Sequence, residues 1–285
     1  MGVEIRTLTD ADAAALEGFL APLAESSMFL RASSRDVGLA YTGARYSATY
    51  VGAFDHTTLL GVVSHTWTGN LLPQAPPGLA ADLARAAVAA SGRPPRGAIG
   101  PADQVHAMLD ALGVADGPFQ RDDMEGLYRL DLARLEPVPN VASVSGRTVA
   151  PCDREPLLRW FTAFEIERLG VEPGPGVEAK SLSRFADALR TGRGYVLERG
   201  ATPVAYAGLT AALPDIVQIG GVYTPRSERG RGYARAVVAH AAERARARGV
   251  TRAVLFTADA NIAAIRAYRS LGFERCGAFR LTLLR

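Results

Sequence analysis

The chain has little lysine, cysteine, histidine or aromatic content. Lys180 is the only lysine in 285 residues. A nucleotide P-loop needs a lysine directly after its last glycine, so that phosphate cradle is excluded wherever Lys180 is not. Cys152 and Cys276 are the only cysteines, too few for a disulfide framework, and neither has a cysteine or histidine at ligand spacing. Both read as buried free thiols. His56, His65, His106 and His240 are scattered, so no metal site is expected. No apolar run approaches the ~20 residues that span a bilayer, and the N-terminal stretch has acidic residues where a secretory signal has a basic start. A soluble cytoplasmic protein with no membrane partner is the expectation. Aromatics make up only 7% of the chain, which leaves little for base stacking, and no nucleic-acid motif is present. A nucleic-acid partner is not expected.

What is present is ample core material, 48% hydrophobic residues, and a net charge of only +3. The positive charge is concentrated. Eight arginines lie within 226–252 against Glu228 and Glu243, a local excess that attracts phosphates.

The chain also rhymes with itself. The stretch RTLTDAD (6–12) echoes RTVAPCD (147–153), and GLYRLDL (126–132) parallels GAFRLTL (277–283). The first pair leads from a strand-like run into an amphipathic helix; the second alternates like half-buried strands. Just before each of the second pair a helix closes on Leu112-Gly113 or Leu271-Gly272, where glycine takes the left-handed conformation that ends helices. Between the halves, residues 136–146 (EPVPNVASVSG) have no apolar period and read as a connection. The expected organisation is a first domain over 1–136, a linker over 137–145 and a second domain over 146–285.

One six-residue stretch of the second half carries the functional question: RGRGYA, 229–234. Upstream, DIVQIGGVYT (215–224) is β-branched and bounded by Pro214 and Pro225, so a central strand is expected there. Gly220 and Gly221 inside it point to a bulge or a close approach. Downstream, Ala234, Val237, Val238, Ala241, Ala242 and Ala245 recur at helical spacing. RGRGYA therefore joins a strand to a helix N-terminus, where free backbone N–H groups and the helix dipole receive anions. The dinucleotide fingerprint would need a third glycine where Arg235 stands, which disfavours it.

A second motif follows a short buried strand, AVLFT (253–257). It is NIAAIRAYRSLGF, 261–273. With this pair of motifs the second half resembles the GNAT acetyltransferase superfamily, whose pyrophosphate loop reads Q/R-x-x-G-x-G/A. Arg229, Gly230, Arg231, Gly232, Tyr233 and Ala234 fit that pattern in order. The family's later N…A…Y…GF helix is matched by Asn261, Ala264, Tyr268, Gly272 and Phe273. The resemblance covers about 145–285 and reaches the first half only through the repeat.

The resemblance implies tandem domains, each a mixed, mostly antiparallel sheet flanked by helices, and an N-acyltransferase with acetyl-CoA as co-substrate. It implies pyrophosphate on 229–234, pantetheine along Val222, Tyr223 and Thr224, and Asn261 and Ala264 near the cofactor. Transfer in the family is usually direct attack by an amine on the thioester, so the acceptor is expected to be a small-molecule amine or a peptide N-terminus. Tyr268 suits protonation of the leaving thiolate, since a phenol remains protonated at neutral pH. The general base is open among Asp215, Glu165 and Glu167. Two readings compete: a non-catalytic acyl-CoA sensor, and a nucleic-acid binder acting through the arginine-rich helix.

The first half serves as an internal control. Alignment on Gly113 and Gly272 puts Leu109 opposite Tyr268 and Ala102 opposite Asn261, while Pro76 and Pro77 stand where the glycine-arginine loop would be. Proline has no N–H to offer, so this half is expected to keep the fold without the acyl-CoA loop.

Overall fold

In the computed structural model, which describes residues 2–138, 144–170 and 172–285, one succession of elements occurs twice. The first pass runs β1 (Glu4–Thr7), α1 (Ala13–Leu20), α2 (Ala24–Val37), β2 (Ala48–Asp55), β3 (Thr58–Thr66), β4 (Asn70–Gln74), α3 (Pro77–Ser91), β5 (Gly97–Pro101), α4 (Ala102–Ala111) and β6 (Phe119–Asp131). The second runs β7 (Val144–Thr148), α5 (Arg154–Leu169), α6 (Pro175–Thr191), β8 (Gly194–Arg199), β9 (Thr202–Ala212), β10 (Ile216–Tyr223), α7 (Tyr233–Arg246), β11 (Arg252–Ala258), α8 (Ile262–Arg269) and β12 (Glu274–Leu284). The fold is mixed α/β with mostly antiparallel strands flanked by helices, as expected.

The repeated RT…D stretches share a physical cause. Arg6 donates to both carboxylate oxygens of Asp12 at 2.6 and 2.9 Å, and the Thr9 N–H donates to the same carboxylate at 2.9 Å. Arg147 holds Asp153 at 2.7 and 2.8 Å, with the Ala150 N–H at 2.8 Å. Each pair locks a strand end to the short turn that opens the next helix. Burial pushes the Asp153 carboxyl up, but the Arg147 guanidinium and the Ala150 N–H outweigh it and hold the group below its ordinary range.

The chain divides into two compact units, one of Met1–Leu127 with Cys276–Arg285 and one of Tyr128–Arg275. The expected linker 137–145 lies largely outside the described residues, and Val144 already begins β7. In the first unit β1 to β5 follow one another across the sheet, with β4 and β5 parallel. The next strand is β12, antiparallel to β5 from Phe279↔Pro101 to Leu283↔Gly97. In the second unit the order from one edge is β7, β8, β9, β10, β11, followed by the end of β6.

The matching segments GLYRLDL and GAFRLTL have therefore traded places. The strand that closes the first repeat delivers Tyr128, Leu130 and Leu132, each 2% exposed or less, to the core of the second unit. The strand that closes the second repeat delivers Phe279 and Thr282 to the first. The Thr282 hydroxyl accepts from the Ala98 N–H at 3.1 Å and donates to the Ala98 carbonyl at 3.3 Å.

The two cysteines correct an expectation. Both are exposed rather than buried, because Cys152 sits in the turn before α5 and Cys276 in the exposed first residues of β12. Among the described residues, no helix is long and apolar enough to cross a membrane.

Candidate functional site

β10 is irregular where its glycines fall. Its ladder with β9 slips between Gln218 and Ile219 and again between Gly220 and Tyr223, where β10 has the extra residue. Gly221 adopts φ +61°, a conformation open to glycine at little cost and strained for other residues. On the other side, the parallel ladder with β11 joins Ile216–Gln218 to Arg252–Val254 and stops there. Both strands continue, β10 to Tyr223 and β11 to Ala258. Beyond Gln218 and Val254 they carry backbone groups no longer shared with each other, which opens room for an extended ligand chain.

RGRGYA connects this opening to α7. Gly230 and Gly232 have φ +80° and +81°, and Gly232 is the residue that caps the helix, without a side-chain cap. A Cβ at Gly230 would meet nothing within 4 Å, so glycine is required there by conformation rather than by space. The N–H groups of the first turn of α7 are thus presented on a glycine-shaped turn.

The arginines of the loop are tied to carboxylates. Arg229 donates to Glu167 Oε2 at 2.7 Å and to the Thr224 carbonyl at 2.9 Å, and Arg226 to Glu167 Oε1 at 3.3 Å. The Tyr223 hydroxyl donates to the same Glu167 at 3.2 Å. Burial pushes the Glu167 carboxyl up, yet the two guanidiniums outweigh it and hold it low. Tyr223 moves up, through burial and the adjoining Glu167 charge. Arg231 pairs with Glu228 at 3.2 Å, and Arg199 with the same carboxylate at 3.1 Å. Four arginines thus share two carboxylates, a positive surplus beside the helix N-terminus. The Thr224 hydroxyl oxygen is buried with no hydrogen-bond partner among the described residues, beside the opened strand.

The other candidate residues fall as follows. Tyr233 turns inward: it is 5% exposed and its hydroxyl accepts from Arg199 at 3.0 Å, so only its backbone faces the loop. Ala234 is half-buried and lies off the fully buried stripe of α7, which Tyr233 and Ala239 join instead. Asn261 caps α8, its Oδ1 accepting from the Ala264 N–H at 3.3 Å. Tyr268 is 7% exposed, in the core of the unit, with its ring centroid 6.1 Å from that of Phe273. Val222 packs half-buried against the same core.

Of the three carboxylates considered as bases, none is brought to the opening as a free group. Asp215 pairs with Arg252 at 2.9 Å and precedes the far end of β10. At ~3.3 Å per residue it is about 20 Å along the strand from Gly221. Glu165 lies 3.9 Å from the Lys180 ammonium, and Glu167 is held by the loop arginines. Arg184 of α6 was not singled out in the sequence: it donates to the Gly221 carbonyl at 3.0 Å. No local pattern marks it, because its partners come from three other elements.

In the first unit, α3 starts on Pro77 after Pro76, and Leu109 is a 2%-exposed core residue. The Gln104 side chain accepts the Ala75 N–H at 3.0 Å, using the donor that precedes the helix.

Residues 157–273 match the model of the Acetyltransferase (GNAT) family. Among solved structures, a GCN5-related N-acetyltransferase from Sphaerobacter thermophilus matches with TM-score 0.63 at 16% identity, over 98% of this chain and 94% of that one. A tandem GNAT protein from the clavulanic acid biosynthesis pathway matches with TM-score 0.57 at 16% identity, over 99% and 98%. A GCN5-related N-acetyltransferase from Kribbella flavida matches with TM-score 0.55 at 20% identity, over 92% and 95%. These likenesses show a shared fold along nearly the whole chain. Among proteins of curated function, none matches in sequence.

Proposed function

We propose that the second unit, whose residues 157–273 match the model of the Acetyltransferase (GNAT) family, transfers an acyl group, acetyl in the first instance, from coenzyme A to an amine. The observation that carries this reading is the opening between β10 and β11 beyond Gln218↔Val254, beside the glycine-shaped N-terminus of α7. An extended pantetheine arm needs unpaired strand edges, and a pyrophosphate needs convergent N–H donors and positive charge. Both stand side by side here. Val222, Tyr223 and Thr224 would line the arm, while the backbone of 229–234 and the Arg231 guanidinium would hold the pyrophosphate. Asn261 and Ala264 would flank the cofactor from the start of α8.

The chemistry is a displacement at the thioester. The amine nitrogen bonds to the carbonyl carbon, the carbon–sulfur bond breaks, and the amine loses its proton through water. Tyr268 supplies a proton to the departing thiolate. With Asp215, Glu165 and Glu167 all beside cations, a water relay suits the proton loss better than direct abstraction by one of them, and Glu165, whose contact with Lys180 is the longest at 3.9 Å, is the side-chain candidate to order that water. The first unit, which has prolines in place of the loop glycines, keeps the architecture without an acyl-CoA site of this kind.

Thiol release from acetyl-CoA across polyamines, aminoglycosides, amino acids and peptides tests the reading. Titration of the protein with acetyl-CoA accompanies it. Absence of any coenzyme A binding refutes it. Binding without transfer to any acceptor favours the sensor reading, and salt-sensitive polynucleotide binding that acetyl-CoA does not displace favours the nucleic-acid reading.

A further inference from the structure

The bulge of β10 is held by a cation that has no carboxylate partner among the described residues. Arg184 reaches from α6 to the Gly221 carbonyl, Nη2 to oxygen 3.0 Å. Its guanidinium carbon lies 4.2 Å from the Phe161 ring centroid, 5.2 Å from Phe164 and 5.4 Å from Tyr206. A Cβ on residue 221 would overlap Nη2, so the left-handed glycine and the arginine are made for each other. The residue is half-buried.

Aromatic faces, one carbonyl and the Tyr206 hydroxyl stabilise a guanidinium only in part, and of its five N–H donors those contacts leave most available. Among the described residues no carboxylate pairs with Arg184. The nearby acids are otherwise engaged: Glu165 with Lys180, Glu167 with Arg226 and Arg229, and Asp187 with Arg190. A planar, aromatic-braced fork without its anion is suited to bidentate recognition of a carboxylate.

Which reactant brings that anion follows from chemistry. On the reading above, the charged groups of acetyl-CoA lie at its nucleotide end, against 229–234, while its pantetheine arm and acetyl group are neutral. The anion must therefore come with the acceptor. A polyamine or other purely cationic acceptor would be repelled by the same guanidinium.

We propose that Arg184 is a specificity residue that binds the carboxylate of the acceptor, so that the substrate class is an amine bearing a carboxylate, such as an amino acid. This inference rests on acyl transfer at the β10–β11 opening. The experiment compares transfer to a set of amino acids and to the carboxamides of the same amino acids, for the wild-type chain, Arg184→Gln and Arg184→Lys. Acetyl-CoA affinity is measured alongside by calorimetry.

The wild type is expected to favour the acid over the amide by about 10- to 100-fold in kcat/KM, mostly through KM, as a charge-assisted pair supports. In Arg184→Gln that preference collapses to within about threefold while acetyl-CoA still binds. Arg184→Lys keeps the charge without the fork and retains part of the preference, and it serves if the glutamine variant does not fold. Equal use of acids and amides by the wild type, turnover confined to cationic amines, or a preference that survives in Arg184→Gln would overturn the proposal while leaving acyl transfer intact. Failure to bind acetyl-CoA at all would remove both.

Discussion

Substitution at Gly230 separates the conformational role of the phosphate turn from any steric one. Residue 230 has φ +80° and open space around a would-be Cβ. An alanine there meets no clash, so its whole cost is that of holding an L-residue in left-handed backbone, about 1–2 kcal/mol. Asparagine tolerates that region and should cost less, whereas β-branched valine should cost more. The cost divides between two measurements. If the free loop keeps its turn, the loss appears as stability; if the free loop relaxes, binding must re-form the turn and the loss appears as affinity. Stability loss and affinity loss together should thus come to about 1–2 kcal/mol for Gly230→Ala, about 5- to 30-fold in Kd if binding carries all of it. The assays are urea unfolding and calorimetric titration with acetyl-CoA. Acetyl-pantetheine, which lacks the pyrophosphate, is the control ligand and should bind Gly230→Ala as it binds the wild type. A valine variant as good as asparagine, or equal loss for both ligands, would refute the argument that this turn presents its N–H groups to pyrophosphate.

Tyr268→Phe should lower kcat by about a hundredfold, leave acetyl-CoA affinity within about twofold, and change stability by no more than ~1 kcal/mol, because the ring keeps its packing on Phe273; an undiminished kcat would exclude Tyr268 as the acid. Burial and the Arg93 charge push His65 down to about 4, so its neutral form stabilises the fold fully above pH ~6.5. As pH falls from there through 4 the unfolded chain binds the proton first, and stability should fall by about 1.4 kcal/mol per unit, ~3 kcal/mol in all. Urea midpoints between pH 7 and 4.5 should show this slope and its reduction in His65→Gln; His240, lowered chiefly by burial, adds a component with the same sign. A fragment of 146–285 lacks Tyr128, Leu130 and Leu132 and should not unfold cooperatively, whereas 128–275 contains the complete second unit; calorimetry of the two fragments decides this, and cooperative melting of 146–285 would contradict it.

Much of the second unit was legible from contiguous residues. The strand before RGRGYA, the helix after it, the glycine stops and the repeated RT…D turns are all set by neighbours within a few positions, where propensity and local hydrogen bonds act directly. Arg147 and Asp153, for example, are only six residues apart. Other features depended on groups distant in sequence. Asp215 looked available as a base until folding set Arg252 beside it. Glu167 became a strut for the loop because Arg226, Arg229 and Tyr223 converge on it from some 56 to 62 residues away.

By itself the sequence determined that one fold occurs twice and that only the second copy carries a glycine-led helix N-terminus. Only the tertiary structure decided which strand completes which sheet. GLYRLDL and GAFRLTL have the same alternation, so either could close either edge, and the choice rests on long-range pairs such as Thr282 with Ala98 and on the core into which Tyr128, Leu130 and Leu132 pack. The same holds for Arg184. Its meaning comes from the left-handed Gly221 and three aromatic rings that meet it only in the folded chain.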